Sequence, residues 1–161
     1  MNIGTSSYDV FPYPSYTFAQ THPDRLASVG RIHGIEVADP TKCRVLEIGC
    51  GDGTNLLSLA YALPSSEFVG FDLSETHIAR GIETKGSIGA NNVELFQADA
   101  SIIDIETLGK FDYIVAHGIF SWVPNLIRER ILQIFSECLD QNGVGYISYN
   151  AYPGCHIREI T

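Results

Sequence analysis

Glu47, Gly49, Gly51 and Gly53 stand at alternate positions in RVLEIGCGDGTNLLSLA, residues 44 to 60. Glycines between an apolar run and a leucine-rich helical one let the backbone turn sharply and approach a ligand with no Cβ in the way. Nicotinamide and flavin cofactors use G-x-G-x-x-G or G-x-G-x-x-A, because a small third residue permits close helix packing beside the pyrophosphate. Gly49 and Gly51 fit that pattern, but Thr54 holds the third place. No G-x-x-x-x-G-K-[ST] occurs, so a P-loop is excluded. The spacing instead reads E-x-G-x-G-x-G.

Further carboxylates follow in order. Asp72 ends the apolar run FVGFD, about 20 residues after the glycines, where a carboxylate can accept both hydroxyl hydrogens of a ribose, with Leu73 beside it as an apolar neighbour. Asp99 closes VELFQADA next to Ala100, and His117 follows the run FDYIVAH. Each has a plain structural alternative. Glu47 could cap a helix or pair with Arg44 or Lys42, Asp72 and Asp99 could terminate strands, and His117 could be a hydrogen-bonded structural histidine.

These residues need elements to hold them. Short apolar runs alternate with helical patterns: RVLEIG then TNLLSLAYAL; EFVGFD then SETHIARGIETK; VELFQAD; FDYIVAH then NLIRERILQIFSECL; and GVGYISYN. Runs apolar throughout and separated by helices predict a parallel sheet covered on both faces, hence a doubly wound α/β fold. Ser74 with Glu75 caps one helix, Pro124 suits the first turn of the long helix, and Asn142–Gly143 stops it before the fifth strand. Leu126, Ile127, Ile131, Ile134, Phe135 and Leu139 form its expected buried stripe. Upstream, DRLASVGRIHGIEVA reads as an amphipathic helix capped by Asp24 and closed by Pro40, with Leu26, Val29, Ile32 or His33, and Val37 near helical spacing. Residues 1–23, rich in Tyr, Phe, Pro and Ser and punctuated by Pro12, Pro14 and Pro23, read as an extended aromatic arm ahead of a domain over 24–161.

Bulk properties narrow the function. The 161 residues, 45% of them apolar, suit one domain. Nineteen acidic against ten basic side chains give a net charge of −9, which repels phosphate backbones and disfavours nucleic acid as a partner. Cys43, Cys50, Cys138 and Cys155 form no C-x-x-C pair, so neither a metal site nor a disulfide framework is signalled. No apolar run of about 18 residues and no secretory signal pattern appear, so a cytoplasmic protein without membrane attachment is expected.

The pattern E-x-G-x-G-x-G, followed by FVGFD, QADA and HGIFSWVP, resembles the motifs of class I S-adenosylmethionine-dependent methyltransferases with a Rossmann-like fold. The resemblance implies S-adenosylmethionine as cofactor. It implies that Glu47, Gly49, Gly51, Gly53, Asn55 and His117, with the backbone near Gly118 and Ile119, lie toward the methionine end. Asp72 and Leu73 would meet the ribose and adenine, and Asp99 with Ala100 the adenine amino group. No catalytic residue follows from it.

The stretches YDVFPYPSYTFAQTHPDRLASVGRIHG, HGIFSWVP and SYNAYPGCHIREI are similar to bacterial methyltransferases carrying a C-terminal methyltransferase regulatory domain, rickettsial-type protein lysine methyltransferases among them. That likeness implies that Tyr13, Tyr16, His22 and Arg25 fold over the cofactor site; a structural clasp is the alternative. It also implies seven strands in a complete domain. Only five are countable here, with 156–161 looking like the start of a further helix, so truncation after the fifth strand is expected, leaving an edge open to self-association.

Methyl transfer to a protein lysine or a small molecule is the leading reading. HGIFSW lacks the Asn or Asp followed by Pro-Pro-aromatic expected of nucleic-acid amino-methylating enzymes. Phe120 and Trp122 stand where an acceptor pocket would open, or else pack in the core. Tyr149 and Tyr152, around Asn150, could help a lysine of ordinary pKa about 10.4 lose its proton. A non-catalytic cofactor-binding module is the competing reading, and a nicotinamide-dependent oxidoreductase, disfavoured by Thr54, a third.

Overall fold

The computed structural model describes residues 15–155. Pro12, Tyr13 and Pro14 of the arm, and the helix start expected at 156–161, lie outside the described residues. Five strands, β1 (Arg44–Ile48), β2 (Glu67–Asp72), β3 (Val93–Gln97), β4 (Phe111–Ala116) and β5 (Leu139–Ile147), form one parallel sheet in the order β3-β2-β1-β4-β5. The helices are α1 (Pro23–Ile32), α2 (Thr54–Ala62), α3 (Glu75–Ile88), the single turn α4 (Ile105–Leu108) and α5 (Asn125–Cys138). This is the doubly wound, Rossmann-like arrangement that the alternating pattern predicts.

Strand alternation divides the core. Val45, Leu46 and Ile48 of the central strand are fully buried, since both faces of β1 are covered. Val45 joins Leu26 and Ala27 of α1, Leu56 of α2, Ile78 of α3, Phe68 and Tyr113 on one face. Leu46 and Ile48 join Ile105 of α4 and Ile131, Ile134 and Phe135 of α5 on the other. With a side-chain period of two, Glu47 falls on the same face as Val45. An acidic side chain is thereby placed inside the layer formed by α1, α2 and the sheet. Opposite it in β2 stands Gly70. A Cβ there would lie 2.4 Å from Leu56 Cδ1, so the glycine admits α2 close to the sheet.

Several local expectations shift. The N-cap of α1 is His22, whose Nδ1 accepts from Asp24 N at 3.2 Å, and Pro23 opens the helix at its first position. The buried face of α1 is Pro23, Leu26, Ala27 and Gly30; Val29 and Ile32 face out, Ile32 at 82% exposure. The helix ends at Ile32, well before Pro40. In α5 Pro124 precedes the first helical residue, Leu126 is exposed, and Cys138 completes the buried stripe instead. The chain passes from Cys138 directly into β5, and Asn142–Gly143 belongs to a bulge: Leu139 faces Phe111 while Val144 faces Tyr113. A Cβ on Gly143 would lie 2.8 Å from Leu139 Cδ2, which explains a glycine at that bend. Ser74 caps α3 as expected, its Oγ accepting from His77 N at 3.2 Å. Cys43, Cys50 and Cys138 are buried free thiols, and Cys155 is half-buried. No helix among the described residues is long and apolar enough to cross a membrane.

Two glycines of α3 separate packing from propensity. A Cβ on Gly81 would sit 2.4 Å from the backbone oxygen of Asp52, while one on Gly86 meets open space. Gly81→Ala is expected to destabilise the protein by about 1–3 kcal/mol through overpacking against backbone. Gly86→Ala is expected to stabilise it by about 0.5–1 kcal/mol through reduced chain entropy. Urea unfolding of the two variants checks the opposite signs.

Candidate functional site

The turn after β1 has Gly49, Gly51 and Gly53 at φ of 71°, 58° and 72°, the left-handed region that glycine alone enters readily. Gly53 is the N-cap of α2, and a Cβ there would lie 2.7 Å from Leu95 Cδ1. A Cβ on Gly49 would lie 2.8 Å from Ile119 Cδ1. The turn is anchored to β2 from both sides. Gly49 N and Cys50 N donate to Phe71 O at 2.9 and 3.1 Å, and Gly51 N donates to Asp72 Oδ2 at 2.9 Å. The other oxygen of Asp72 accepts from Ser74 N at 2.9 Å. One carboxylate thus fixes both the glycine turn and the entry to α3.

Beneath the turn lies Glu47, 4% exposed. Both carboxylate oxygens accept from Asn55 Nδ2, at 3.3 and 3.1 Å. Burial pushes its pKa up to about 7, opposed by the Asn55 hydrogen bond and reinforced by the charge of Asp72. The pairing with Arg44 does not form: Arg44 turns to the carbonyls of Leu108 and Lys110 and to Glu67. Asn55 is the hub of this region. Its Nδ2 also donates to Thr21 Oγ1 at 3.0 Å, and its Oδ1 accepts from Phe18 N at 3.0 Å.

The arm therefore reaches the site. Ser15 Oγ donates to the Asp52 carboxylate. Burial raises the Asp52 pKa, but the hydrogen bonds from Ser15 and Thr54 outweigh it and the carboxyl titrates below its ordinary value. The Phe18 ring packs on His117 with centroids 4.0 Å apart, and Tyr146 OH lies 3.4 Å from His117 Nδ1. Burial lowers the His117 pKa, favouring neutral imidazole.

A cavity of about 310 Å³ is enclosed by Glu47, the turn from Gly49 to Asp52, Thr54, Asn55, His77, His117 and Gly118, with Ser15, Tyr16 and Phe18 of the arm. A second, of about 260 Å³, shares His117 and Gly118 and adds Ser121, Trp122, Ser148, Tyr149 and Asn150. The loops around it are cross-tied: Gly118 N donates to Ser148 Oγ and Asn150 N to Ser121 Oγ, both at 2.7 Å.

Of the candidates named from sequence, Glu47, Gly49, Gly51, Asn55 and His117 line the first cavity. Gly53 and Asp72 shape its turn from behind. Leu73, Asp99 and Ala100 lie past the tips of β2 and β3, outside that lining; Leu73 is exposed, Ala100 is buried, and Asp99 Oδ1 accepts from Ser101 N at 2.8 Å. Gln97 Nε2 donates to Leu73 O, tying these two tips together. In the arm Tyr16 lines the cavity, whereas His22 serves as helix cap and Arg25 is exposed, neither in the lining. Ser15, Phe18, Thr21, Asp52 and His77 were not singled out by sequence reasoning. Asp52, lodged between two motif glycines, carried a usable signal; the arm residues carried none, since their partners lie 34 to 37 positions away.

Residues 46–144 match the family model described as a methyltransferase domain. The uncharacterized protein RP028 of Rickettsia prowazekii is 41% identical over 153 residues, covering 94% of this chain and 60% of RP028. A second protein of that organism, RP789, is 39% identical over 91% of this chain and 26% of its own length. Among solved structures, PKMT2 from Rickettsia typhi in complex with AdoHcy superposes with a TM-score of 0.85 at 41% identity, covering 92% of this chain and 29% of that one. The chain thus spans between about a quarter and three fifths of the length of these relatives.

The burial of Glu47 predicts a pH dependence. An unfolded chain releases this proton near 4.5 and the folded chain near 7. Between those values the folded state holds more protons, so stability falls as pH rises through that window and levels off above it, by on the order of 3 kcal/mol. Glu47→Gln removes this component. Urea midpoints at pH 5 and pH 8 for both forms measure it.

Proposed function

The chain belongs to the methyltransferase-domain family, and from that premise we propose that it binds S-adenosylmethionine and directs its methyl group to a protein lysine or a small-molecule acceptor. The observation that carries this reading is the glycine turn itself, at three positive φ values and tied to β2 through Phe71 O and Asp72, beside a buried carboxylate. Such a turn lets a ligand approach the backbone with no Cβ in the way.

The residues fit that cofactor. Each Asp72 oxygen uses one lone pair on a backbone N–H and retains another, sufficient for two ribose hydroxyls. Glu47, with Asn55 as its donor, provides a negative or proton-sharing floor suited to an ammonium group. Asp99, Ala100 and Leu73 are assigned to the adenine end, beyond the first cavity. When bound, the cofactor supplies an electrophilic methyl on a sulfonium. The protein's contribution is alignment and exclusion of water, with no acid or base strictly demanded by a displacement that disperses charge.

Because the two cavities adjoin at His117 and Gly118, which line both, the acceptor is assigned to the second, beside Trp122, Tyr149 and Asn150. Neutral His117, packed between Phe18 and Tyr146, presents no cation at the junction where a sulfonium would stand. The arm, residues 1–23, belongs functionally to the cofactor site of the domain that follows it.

Calorimetric titration with S-adenosylhomocysteine is expected to give one site per chain. Asp72→Ala is expected to weaken it by about 10- to 100-fold, the loss of hydrogen bonds to a charged acceptor. A chain whose melting temperature responds to NADH and not to S-adenosylhomocysteine would overturn the assignment. Methyl release measured beside binding separates a competent transferase from a module that only binds.

A further inference from the structure

Thr21 is fully buried and polar, while residues 15–20 ahead of it are exposed or half-buried. Tyr16 is 62% exposed, and Ser15 is exposed as well. Among the described residues, the Phe18 ring on His117 and a short series of polar ties secure residues 15–21. Thr21 Oγ1 donates to Phe18 O at 2.9 Å while accepting from Asn55 Nδ2 at 3.0 Å. Phe18 N donates to Asn55 Oδ1, and Ser15 Oγ to Asp52. A segment with few buried apolar contacts opens locally at low cost, so these ties set how often it does so.

We infer that Thr21 is a positioning residue which, through Asn55, holds residues 15–21 as a strap across the first cavity, so that strap closure and ligand residence are coupled. This rests on the reading of that cavity as the S-adenosylmethionine site. Ser15, Tyr16 and Phe18 supply one wall of the cavity, so a ligand in contact with them binds the closed strap better than the open one. By linkage, the same factor by which closure tightens binding is the factor by which the ligand suppresses opening. The route is specific. The two protons of the Asn55 amide nitrogen go to Thr21 and Glu47 and its oxygen takes Phe18 N–H, so the amide has one orientation that satisfies strap and cavity floor together. Removal of the Thr21 hydroxyl leaves one Asn55 proton unmatched, while Phe18 O keeps its bond from Thr21 N, and Thr21 itself is not part of the cavity lining.

The test follows Phe18 amide hydrogen exchange by NMR and the dissociation rate of S-adenosylhomocysteine by stopped flow, in the unmodified chain, Thr21→Val and Thr21→Ser. The ligand is expected to slow Phe18 exchange in the unmodified chain. Thr21→Val is expected to speed dissociation about tenfold and abolish that protection, while Thr21→Ser, which keeps the hydroxyl, restores both. A merely structural role would lower stability in Thr21→Val yet leave the dissociation rate unchanged, and that result overturns the inference. Should Thr21→Val not fold, Thr21→Ala, which also removes the hydroxyl from a residue outside the lining, serves instead: faster dissociation with loss of Phe18 protection supports the coupling and an unaltered rate overturns it. Failure of S-adenosylhomocysteine to bind the unmodified chain would overturn the cofactor reading and this inference together, whereas binding with no change at Phe18 would overturn the inference alone.

Discussion

A carboxyl group on the covered face of a central strand is costly to ionise, and the organisation around Glu47 follows from how that cost is met. The period of two along β1 places Glu47 beside Val45, facing α2, and burial holds its proton to a pH near neutrality. Asn55, the second residue of α2, is the group that meets it. Because Asn55 has a second proton and an oxygen to satisfy, it recruits Thr21 and Phe18. A strand, a helix and the arm are thus tied to one buried acid, and the cavity forms where they meet.

The glycine turn works within the same constraint. Its tightness lets α2 begin immediately after β1, which brings Asn55 into reach of Glu47, eight residues back. Gly70 and Gly81 complete the arrangement by removing Cβ atoms where α2 approaches β2 and where α3 approaches the turn. At the far end His117 lines two cavities of comparable size, one bounded by the turn and the arm, the other by the loops after β4 and β5.

Much of this could be read from residue order alone, for physical reasons that also mark where reading fails. Strands buried on both faces announce themselves as unbroken apolar runs, so β1, β2 and β4 were locatable to within a residue or two. The motif glycines and Asp72 act locally, through φ angles and a hydrogen bond between adjacent strand tips. Val29, Ile32 and Leu126 misled because helical spacing marks a stripe without saying which residues neighbouring elements cover. Asn142–Gly143 resembled a helix stop, yet the pair forms a bulge inside β5, a choice made by pairing with β4. Ser15, Phe18 and Thr21 were illegible because hydrogen bonds spanning more than thirty residues leave no periodic trace.

Trp122 has one more consequence. It is the sole tryptophan of the chain, two-thirds exposed at the mouth of the second cavity. Indole emission is sensitive to the polarity and hydration around the ring, so the protein carries a built-in optical reporter at one position. Light absorbed at the red edge of the aromatic band reads out the mouth of that chamber selectively, with no label attached and no contribution from a second indole.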